Sequence, residues 1–454
     1  MPSTAKLPFA GDLHVLMFPF VAFGHISPFL QLSGKLSSAG VRVTFLSTPA
    51  NLGRISSLLP SSPSVRIISL PLPSVPGLPS GAESTADIPP HTAELLKLAV
   101  DLMRPSVADL VADLRPDIIF FDFAQPWIPS IAGPLGLKTV FFSVFSAAAT
   151  AYLTVPARAR GALGDLTGPP AAFPASTALA AGVPAYQAED FAYIFKSFAD
   201  GAPPVFDRVL AGLTGCSAVA AKTCMEMEGP YVRYVESQLG KSVLLAGPVV
   251  PEPPAGKLGS DWAGFLDRFD DGAVVFCSFG SETALREEGV RELLLGLELA
   301  GLPFLAVLNS LAGAGKGLVR EGWAPQQLIL RHRSVGCFLC HAGLSSVVEG
   351  VVAGCRVVML PQRGDQFLNA RLFAGDLGVG VEVARDDSGG FRREAVRDAV
   401  ARAMRWPPEA EEKAEKLRGF LMDVEAQGSF MEDFVWRLKE LASSKVNDIN
   451  FYES

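Results

Sequence analysis

The stretch WAPQQLILRHRSVGCFLCHAGLSSVVEG, residues 323–350, places a short apolar segment between polar and aromatic groups. Its middle part, SVGCFLC, is typical of a buried strand, and LSSVVEGVVAG after it is typical of a helix. A glycine-containing turn that leads from a strand into a helix exposes backbone N–H groups at the positive end of the helix dipole. The stretch therefore predicts a strand–turn–helix unit of an α/β fold with an anion site at its turn.

The same alternation of strands and helices begins near the amino terminus. Continuous apolar runs occur at LHVLMFPF (13–20), VRVTFLS (41–47), DIIFFDF (117–123) and KTVFFSV (138–144). This βαβ series predicts a parallel sheet with right-handed crossovers. The segment PFLQLSGKLSSAG predicts a helix with Pro28 in its first turn and Gly40 at its end.

A proline-rich segment, AGPVVPEPPAGKLGS at 246–260, separates this series from a second one, and we interpret it as an interdomain linker. We predict α/β domains at 1–245 and 261–430, and a carboxyl-terminal helix and tail at 431–454 that packs back on the first domain. Two open sheets joined in this way leave a ligand crevice at the carboxyl ends of their strands.

Composition excludes several classes of protein. The chain has 454 residues, of which 49% are hydrophobic and 19% charged, so large packed cores are expected and global disorder is not. A net charge of −8 disfavours nucleic acid as the main partner. Six cysteines in apolar runs show no disulfide spacing and indicate a reducing cytoplasm, with Cys337 and Cys340 as buried thiols.

The sequence also disfavours targeting and membrane segments. The first residues lack a charged region followed by a long apolar core, so we expect no signal peptide. The longest apolar stretch, 139–155, is interrupted by serine and threonine and predicts a buried strand that runs into a helix.

Polar groups gather around the turn of the opening stretch. His341 follows the strand, Ser345 and Ser346 begin the helix, and Glu349 lies one turn further, where it can accept hydrogen bonds from ribose. Trp323 offers a flat face to a base. Singly, each has a common structural explanation, since serines cap helices and tryptophans pack in cores. Together they predict a nucleotide site.

Rival motifs are incomplete. AGAGKG at 312–317 lacks the third glycine of a dinucleotide loop, which disfavours a dinucleotide-dependent oxidoreductase. It also lacks the serine or threonine that follows the lysine of a P-loop. The sequence has no D-x-D triplet and no cluster with metal-ligand spacing. We therefore expect no metal and no cofactor.

A second polar pair occurs in the amino-terminal series. His25 follows the first strand in the turn FGH and precedes a helix, and Asp122 ends the strand DIIFFD. Both positions fall at the carboxyl edge of the predicted sheet, where a histidine oriented by a carboxylate forms a general-base pair. On the residues alone, a capping histidine and a turn aspartate are an equal alternative.

The 44 residues from Trp323 to Gln366 resemble the signature box of the plant family 1 UDP-sugar glycosyltransferases, through WAPQ, SVGCF, the H-x-G turn, the E-G after it and DQ-x-LNAR. FGH, CSFGSE (277–282) and EGPYV (228–232) extend the resemblance over essentially the whole chain. It implies a GT-B arrangement, in which two Rossmann-like domains face each other across a cleft. It also makes His25 and Asp122 a catalytic pair.

The resemblance implies a role for each matching residue. Trp323 and the backbone after it would bind uracil, Gln326 and Glu349 the ribose, and Asp365 and Gln366 the sugar hydroxyls. Residues 341–346 and Ser281 would bind the phosphates and shape the wall beside the sugar. The implied donor-binding residues are Ser281, Trp323, Ala324, Gln326, His341, Gly343, Leu344, Ser345, Ser346, Glu349, Asp365 and Gln366.

The turn departs from the usual pattern of this family. Most members have H-C-G-W-N-S, whereas this chain has H-A-G-L-S-S. Ser345 in place of asparagine should reshape a phosphate contact. Leu344 in place of tryptophan makes the wall near the sugar less polar, which favours a pentose or a deoxysugar.

We predict an inverting, metal-independent transfer from a UDP-sugar, with UDP-glucose as first donor because Asp365-Gln366 usually accompanies it in the family. UDP-xylose or UDP-rhamnose is the alternative donor, and a nucleotide-sugar-binding protein without catalysis is the alternative function. LPQRGDQ and GVEVARDDSGGF resemble the branch that often glycosylates flavonoid or terpenoid glycosides.

The predicted acceptor is a lipophilic plant metabolite (flavonoid, terpenoid or steroid) or its glycoside. It would lie in the amino-terminal half, and the candidate contacts are Phe20, Phe123, Trp127, Ser146 and Phe191. We expect a cytoplasmic monomer with no nucleic-acid partner and no stable membrane insertion.

Overall fold

The computed structural model describes residues 12–55, 65–89, 92–160, 166–198, 201–252, 256–280, 285–308 and 317–444. Their strands form two sheets. The strands of the first sheet are β1 (His14–Phe18), β2 (Arg42–Ser47), β3 (Val65–Ser69), β4 (Ile118–Phe121), β5 (Lys138–Ser143), β6 (Ala218–Ala221) and β7 (Val243–Leu245). Within the described ranges this sheet has the order β3-β2-β1-β4-β5-β6-β7.

The second sheet is built in the same way. Its strands are β8 (Val274–Ser278), β9 (Phe304–Leu308), β10 (Leu318–Glu321), β11 (Val335–Cys340), β12 (Arg356–Met359) and β13 (Val381–Glu382). They have the order β10-β9-β8-β11-β12-β13 in the part of the chain that the structure describes. The neighbours pair in parallel in both sheets, for example Phe18 with Phe121 in the first and Cys340 with Met359 in the second.

Helices connect the strands and cover both sheets. In the first half they are α1 (Phe23–Ser38), α2 (Pro49–Ile55), α3 (Ala93–Leu102), α4 (Arg104–Leu114), α5 (Ile128–Ala132), α6 (Ala147–Leu153), α7 (Pro156–Arg160), α8 (Ala185–Phe191), α9 (Val205–Gly215) and α10 (Met225–Leu239). In the second half they are α11 (Ser260–Leu266), α12 (Glu287–Leu299), α13 (Gln326–Leu330), α14 (Leu344–Val352), α15 (Asp365–Arg371), α16 (Arg393–Met404), α17 (Pro408–Met422) and α18 (Val424–Ser443).

The predicted α/β class with two parallel sheets is confirmed, and so is the strand that runs into a helix within 139–155. Strands β3, β6, β7, β10 and β13 were not predicted. Strand β6 is AVAA, which lacks the β-branched bulk that marks a strand, and β7 and β13 have only three and two residues.

The start of α1 differs from the prediction. Pro28 is the sixth residue of the helix, not part of its first turn, and His25 lies inside the helix. The helix begins early because Ala22 has extended backbone angles and its carbonyl accepts from the N–H groups of His25 and Ile26, both at 2.9 Å.

Three apolar clusters hold the described fold together. The largest joins the facing sides of the two sheets, and the other two lie under the outer helices of each half. Helix α18 returns from the second half to the first sheet, where Phe434 is fully buried with its ring centroid 6.3 Å from that of Phe120. The carboxyl-terminal helix therefore covers the amino-terminal sheet.

Two further predictions bear on the covalent and membrane state of the chain. All six cysteines are buried and free, as the prediction of buried thiols requires. Among the described helices, none combines the length and the apolar character needed to cross a bilayer.

Candidate active site

Two neighbouring strands bring His25 and Asp122 together. Strand β1 leads into α1, which carries His25, and β4 ends one residue before Asp122. Because β1 pairs with β4, the two side chains meet although 97 positions separate them, and His25 Nδ1 lies 2.9 Å from Asp122 Oδ2. The predicted pair is therefore present at the carboxyl edge of the first sheet.

Backbone N–H groups hold the carboxylate of this pair. Asp122 is 2% exposed, its Oδ2 accepts from the Phe20 N–H at 3.0 Å, and its Oδ1 accepts from the Ala124 N–H at 3.2 Å. A carboxylate held in this orientation accepts a hydrogen bond from His25, which assigns the ring proton to Nδ1. Nε2 is then the basic nitrogen, so the pair has the arrangement of a general base.

Aromatic rings surround His25. The ring centroids of Phe20, Phe123 and Phe145 lie 5.7, 5.2 and 5.6 Å from that of His25. Phe20 and Phe123 were predicted acceptor contacts, whereas Phe145, which follows β5 and directly precedes the predicted contact Ser146, was not predicted. Together the rings form an apolar wall beside the candidate base.

The other three predicted acceptor residues already have protein partners. Trp127 donates its indole N–H to Asp101 Oδ1 at 3.1 Å. Ser146 caps α6 and donates to Asn369 Oδ1 at 2.7 Å. Phe191 is buried, with its ring centroid 6.2 Å from that of Phe367. The structure does not bring these three against His25 as it does the phenylalanines.

A charged pair also lies beside Phe123. The Lys97 ammonium is 5.8 Å from the centroid of the Phe123 ring and forms an ion pair with Glu94 on the same helix. Burial lowers the pKa of Lys97, and the negative charge of Glu94 opposes this effect. The Lys97–Glu94 pair was not predicted, because it belongs to no sequence motif. It adds a polar group beside the aromatic wall.

The candidate ribose residues contact each other on the donor side. Gln326 Nε2 donates to Glu349 Oε2 at 2.8 Å, and Gln327 Nε2, which was not predicted, donates to Glu349 Oε1 at 3.1 Å. Trp323 lies just before α13 with 79% of its surface exposed, and Ala324 follows it. A tryptophan this exposed contributes little to the core, and its ring is open to solvent.

Two glycines fit around His341. A Cβ on Gly343 would lie 2.6 Å from His341 Nε2, and a Cβ on Gly280, whose φ is +70°, would lie 3.2 Å from its Cε1. Burial lowers the pKa of His341 to about 4, so its ring is neutral at pH 7. Its Nδ1 is buried and has no hydrogen-bond partner among the described residues, which leaves a polar atom for a ligand.

Asn369 connects the candidate sugar residues to the turn. Its Nδ2 donates to Asp365 Oδ2 at 3.0 Å and to the Ala342 carbonyl at 3.1 Å. Burial raises the pKa of Asp365, and the hydrogen bond from Asn369 and the positive charge of Lys222 oppose this. Asn369 is part of the DQ-x-LNAR motif, but no role was predicted for it.

Gln366 follows Asp365 in the chain, but its side chain bonds to the backbone of the preceding loop. Its Oε1 accepts from the backbone N–H groups of Gln362 and Arg363 at 2.9 and 3.2 Å, and the residue is buried. The side-chain oxygen therefore holds the loop before α15.

The remaining predicted donor residues lie at the start of α14. Leu344 is buried, Ser346 is half-buried, and Ser345 Oγ accepts from Lys222 Nζ at 2.8 Å. Lys222 follows β6 in the first half and carries no motif by which sequence analysis could have found it. Ser281 lies outside the described residues, and so does most of AGAGKG. In the described part of the chain, no group of three His, Cys, Asp or Glu residues has an arrangement suited to a metal ion.

Known proteins resemble this chain over nearly its whole length. Residues 253–388 match the family model described as UDP-glucoronosyl and UDP-glucosyl transferase. The chain is 48% identical to an anthocyanidin-3-O-glucoside rhamnosyltransferase of Petunia hybrida, with 95% of this chain and 97% of that protein covered. It is 36% identical to an anthocyanidin 3-O-glucoside 2''-O-glucosyltransferase of Ipomoea purpurea, with 95% and 99% covered.

The fold is also similar to a solved structure. The crystal structure of Arabidopsis thaliana UGT89C1 superimposes with a TM-score of 0.75 at 25% sequence identity, covering 95% of this chain and 100% of that one. The likeness extends over both sheets, and the predicted GT-B arrangement is confirmed.

Proposed function

Because the chain belongs to the plant family 1 UDP-dependent glycosyltransferases, we propose that it transfers a sugar, with inversion, from a UDP-sugar to a hydroxyl of a flavonoid glycoside. The observation that carries this proposal is the His25–Asp122 pair, 2.9 Å apart, beside an apolar wall of phenylalanine rings. A base in this position faces both the acceptor and the sugar.

The proposed reaction is a single displacement. His25 Nε2 takes the proton of the acceptor hydroxyl while the hydroxyl oxygen attacks the anomeric carbon of the donor. The bond from that carbon to the UDP oxygen breaks, and UDP leaves with the electron pair. Asp122 stabilises the imidazolium that forms, as a carboxylate does in a hydrolase triad.

The donor-side contacts support the placement of UDP. The exposed Trp323 ring is a platform for uracil, and Glu349, fixed by two glutamine amides, is an acceptor for ribose hydroxyls. The N–H groups at the start of α14, His341 Nδ1 and Ser346 lie where the phosphates would bind.

Two observations favour rhamnose over glucose as the transferred sugar. Leu344 is an apolar residue next to the phosphate turn, and Gln366 uses its amide oxygen on the backbone of its own loop, so it is less available to a sugar hydroxyl. The Petunia relative is named as a rhamnosyltransferase. We therefore propose UDP-rhamnose as the preferred donor, with the predicted UDP-glucose as the competing outcome.

The acceptor side supports a substrate that is already glycosylated. Both relatives carry names that refer to anthocyanidin 3-O-glucosides. Beside His25 the rings of Phe20, Phe123 and Phe145 suit a flat aglycone. The Lys97–Glu94 pair beside Phe123 suits the hydroxyls of an attached sugar.

A donor panel against paired acceptors tests this proposal. UDP-rhamnose, UDP-glucose, UDP-xylose and UDP-galactose are each supplied with a flavonoid aglycone and with its 3-O-glucoside, and UDP release and product mass are measured. Fastest transfer from UDP-rhamnose to the glucoside supports the proposal. Preference for UDP-glucose overturns the donor assignment, reaction with aglycones alone overturns the acceptor assignment, and binding without UDP release from any pair favours a nucleotide-sugar-binding protein.

A further inference from the structure

Lys222 is a buried lysine of the first half that reaches the donor side of the cleft. It follows β6 directly, and its Nζ donates to Ser345 Oγ at 2.8 Å, across 123 positions of sequence. Ser345 is the second residue of α14, whose start is the predicted phosphate site. The donor site therefore includes a cation from the opposite domain.

Nearby carboxylates favour the charged form of Lys222, and the part of the chain that the structure describes supplies one hydrogen-bond acceptor to its ammonium. Burial lowers the pKa of Lys222 to about 8, against the opposing effect of the carboxylates of Asp365, Glu349 and Glu228. The ammonium is therefore the main form at pH 7. It has three N–H donors, and within the described ranges Ser345 accepts from one of them.

A diphosphate at the start of α14 needs such a cation. It would bring negative charge toward Glu349 and Asp365, and repulsion between like charges is strong in a buried site. His341 does not compensate, because burial lowers its pKa to about 4 and the ring is neutral. The helix terminus offers only partial positive charge.

We propose that Lys222 binds the diphosphate of the UDP-sugar and stabilises the negative charge that develops on UDP as its bond to the sugar breaks. This assignment rests on the proposed binding of UDP at the start of α14. Ser345 anchors the ammonium, and the other N–H groups donate to phosphate oxygens.

Three variants of Lys222 separate its charge from its hydrogen bond. Lys222→Gln keeps a donor for Ser345 but removes the charge, Lys222→Arg keeps the charge, and Lys222→Met removes both. Calorimetry measures the Kd of UDP and of uridine, which has no phosphate. We expect the Gln variant to raise the Kd of UDP roughly tenfold, since hydrogen bonds to charged groups are strong. The same variant should leave the Kd of uridine unchanged and lower kcat. The Arg variant should retain more UDP affinity than Gln.

Controls distinguish this role from a structural one. Lys241, also in the first half, donates to the carbonyls of Thr214 and Cys216, and Lys241→Met should leave both Kd values unchanged. Unaltered UDP affinity in folded Lys222→Gln, or equal weakening of UDP and uridine, would overturn the proposal. The two Kd measurements need no turnover, so absence of sugar transfer by the wild type would count against the proposed function and not against the binding of the diphosphate by Lys222.

Discussion

The donor side and the acceptor side of the cleft are built from different kinds of sequence. On the donor side, the residues from Trp323 to Asn369 form one short segment whose side chains bond to each other, as Gln326 does to Glu349 and Asn369 to Asp365. On the acceptor side, the wall around His25 and the charged pair beside it come from segments far apart in sequence.

This difference has a physical consequence. A site built within one strand–turn–helix unit keeps its geometry through local backbone and short-range hydrogen bonds, so its residue types must recur at fixed spacing. A site built by packing across a sheet can use many residue combinations, because shape and volume are what must be conserved. The donor side is therefore expected to be the common part of the family fold, and the acceptor side the variable one.

The largest expected effect is at His25, the candidate base of the acceptor side. His25→Ala should lower kcat by roughly 10²- to 10⁴-fold, the usual contribution of general-base catalysis. The Kd of UDP should stay unchanged, because His25 lies on the acceptor side. Steady-state kinetics and calorimetry measure the two quantities.

His332→Ala is the matched control for this variant. His332 bonds to Ser334 and Asp267 before β11, away from His25, and its loss should leave kcat unchanged. Should His25→Ala keep most of its turnover, or lose UDP affinity as well, the assignment of His25 as an acceptor-side base would be wrong.

The next effect tests the donor side alone. Trp323→Ala should raise the Kd of UDP by roughly 5- to 150-fold, since stacking of a base on an aromatic ring is worth ~1–3 kcal/mol. The melting temperature should change little, because the ring is 79% exposed and contributes little to a core. Calorimetry and thermal melting measure these effects.

Trp436→Ala serves as the control for the tryptophan variant, since this ring is partly exposed on α18. It should leave the Kd of UDP unaltered. If Trp323→Ala bound UDP as the wild type does while melting at a lower temperature, the residue would be structural and the donor side would begin later in the chain.

The difference between a site built within one segment and a site built by packing across a sheet also explains which features could be predicted from the sequence. The two-sheet fold and the position of the His25–Asp122 pair follow from apolar runs and from what lies at their ends. The role of Asn369 could have been predicted, because the residue lies in a recognised motif. The role of Lys222 could not, because its importance depends on which strands become neighbours, and the short alanine-rich β6 before it gave no strand signal. Phe145 follows a predicted strand, but only the packing of its ring against His25 identifies it.

A smaller effect tests the acceptor side alone. Lys97→Met should raise the KM of a flavonoid 3-O-glucoside roughly tenfold, because hydrogen bonds to charged groups contribute ~1.5–3 kcal/mol when they are fully formed. The KM of the aglycone should change much less, since it would contact the phenylalanine wall and not the ammonium. Kinetics with both acceptors at saturating donor measure the difference.

Methionine keeps much of the length of Lys97, so the apolar packing around its stem is largely retained. Lys35→Met, in the last turn of α1, is the control, and neither KM should change. Equal changes for glucoside and aglycone in Lys97→Met would contradict a sugar-binding role and assign the lysine to the support of Phe123.

The smallest expected effect is that of a chelator. Transfer should proceed at an unchanged rate in EDTA, because protein groups on the donor side can meet the charge of the departing UDP. These are the N–H groups at the start of α14, the neutral ring of His341 and the ammonium proposed at Lys222. Initial rates with and without EDTA, and after addition of Mg²⁺ or Mn²⁺, measure the effect. Loss of activity that either ion restores would mean that the donor side is incomplete without a cation from solution. The contrast between a donor side whose charge is met by protein groups and an adaptable acceptor side would then no longer hold.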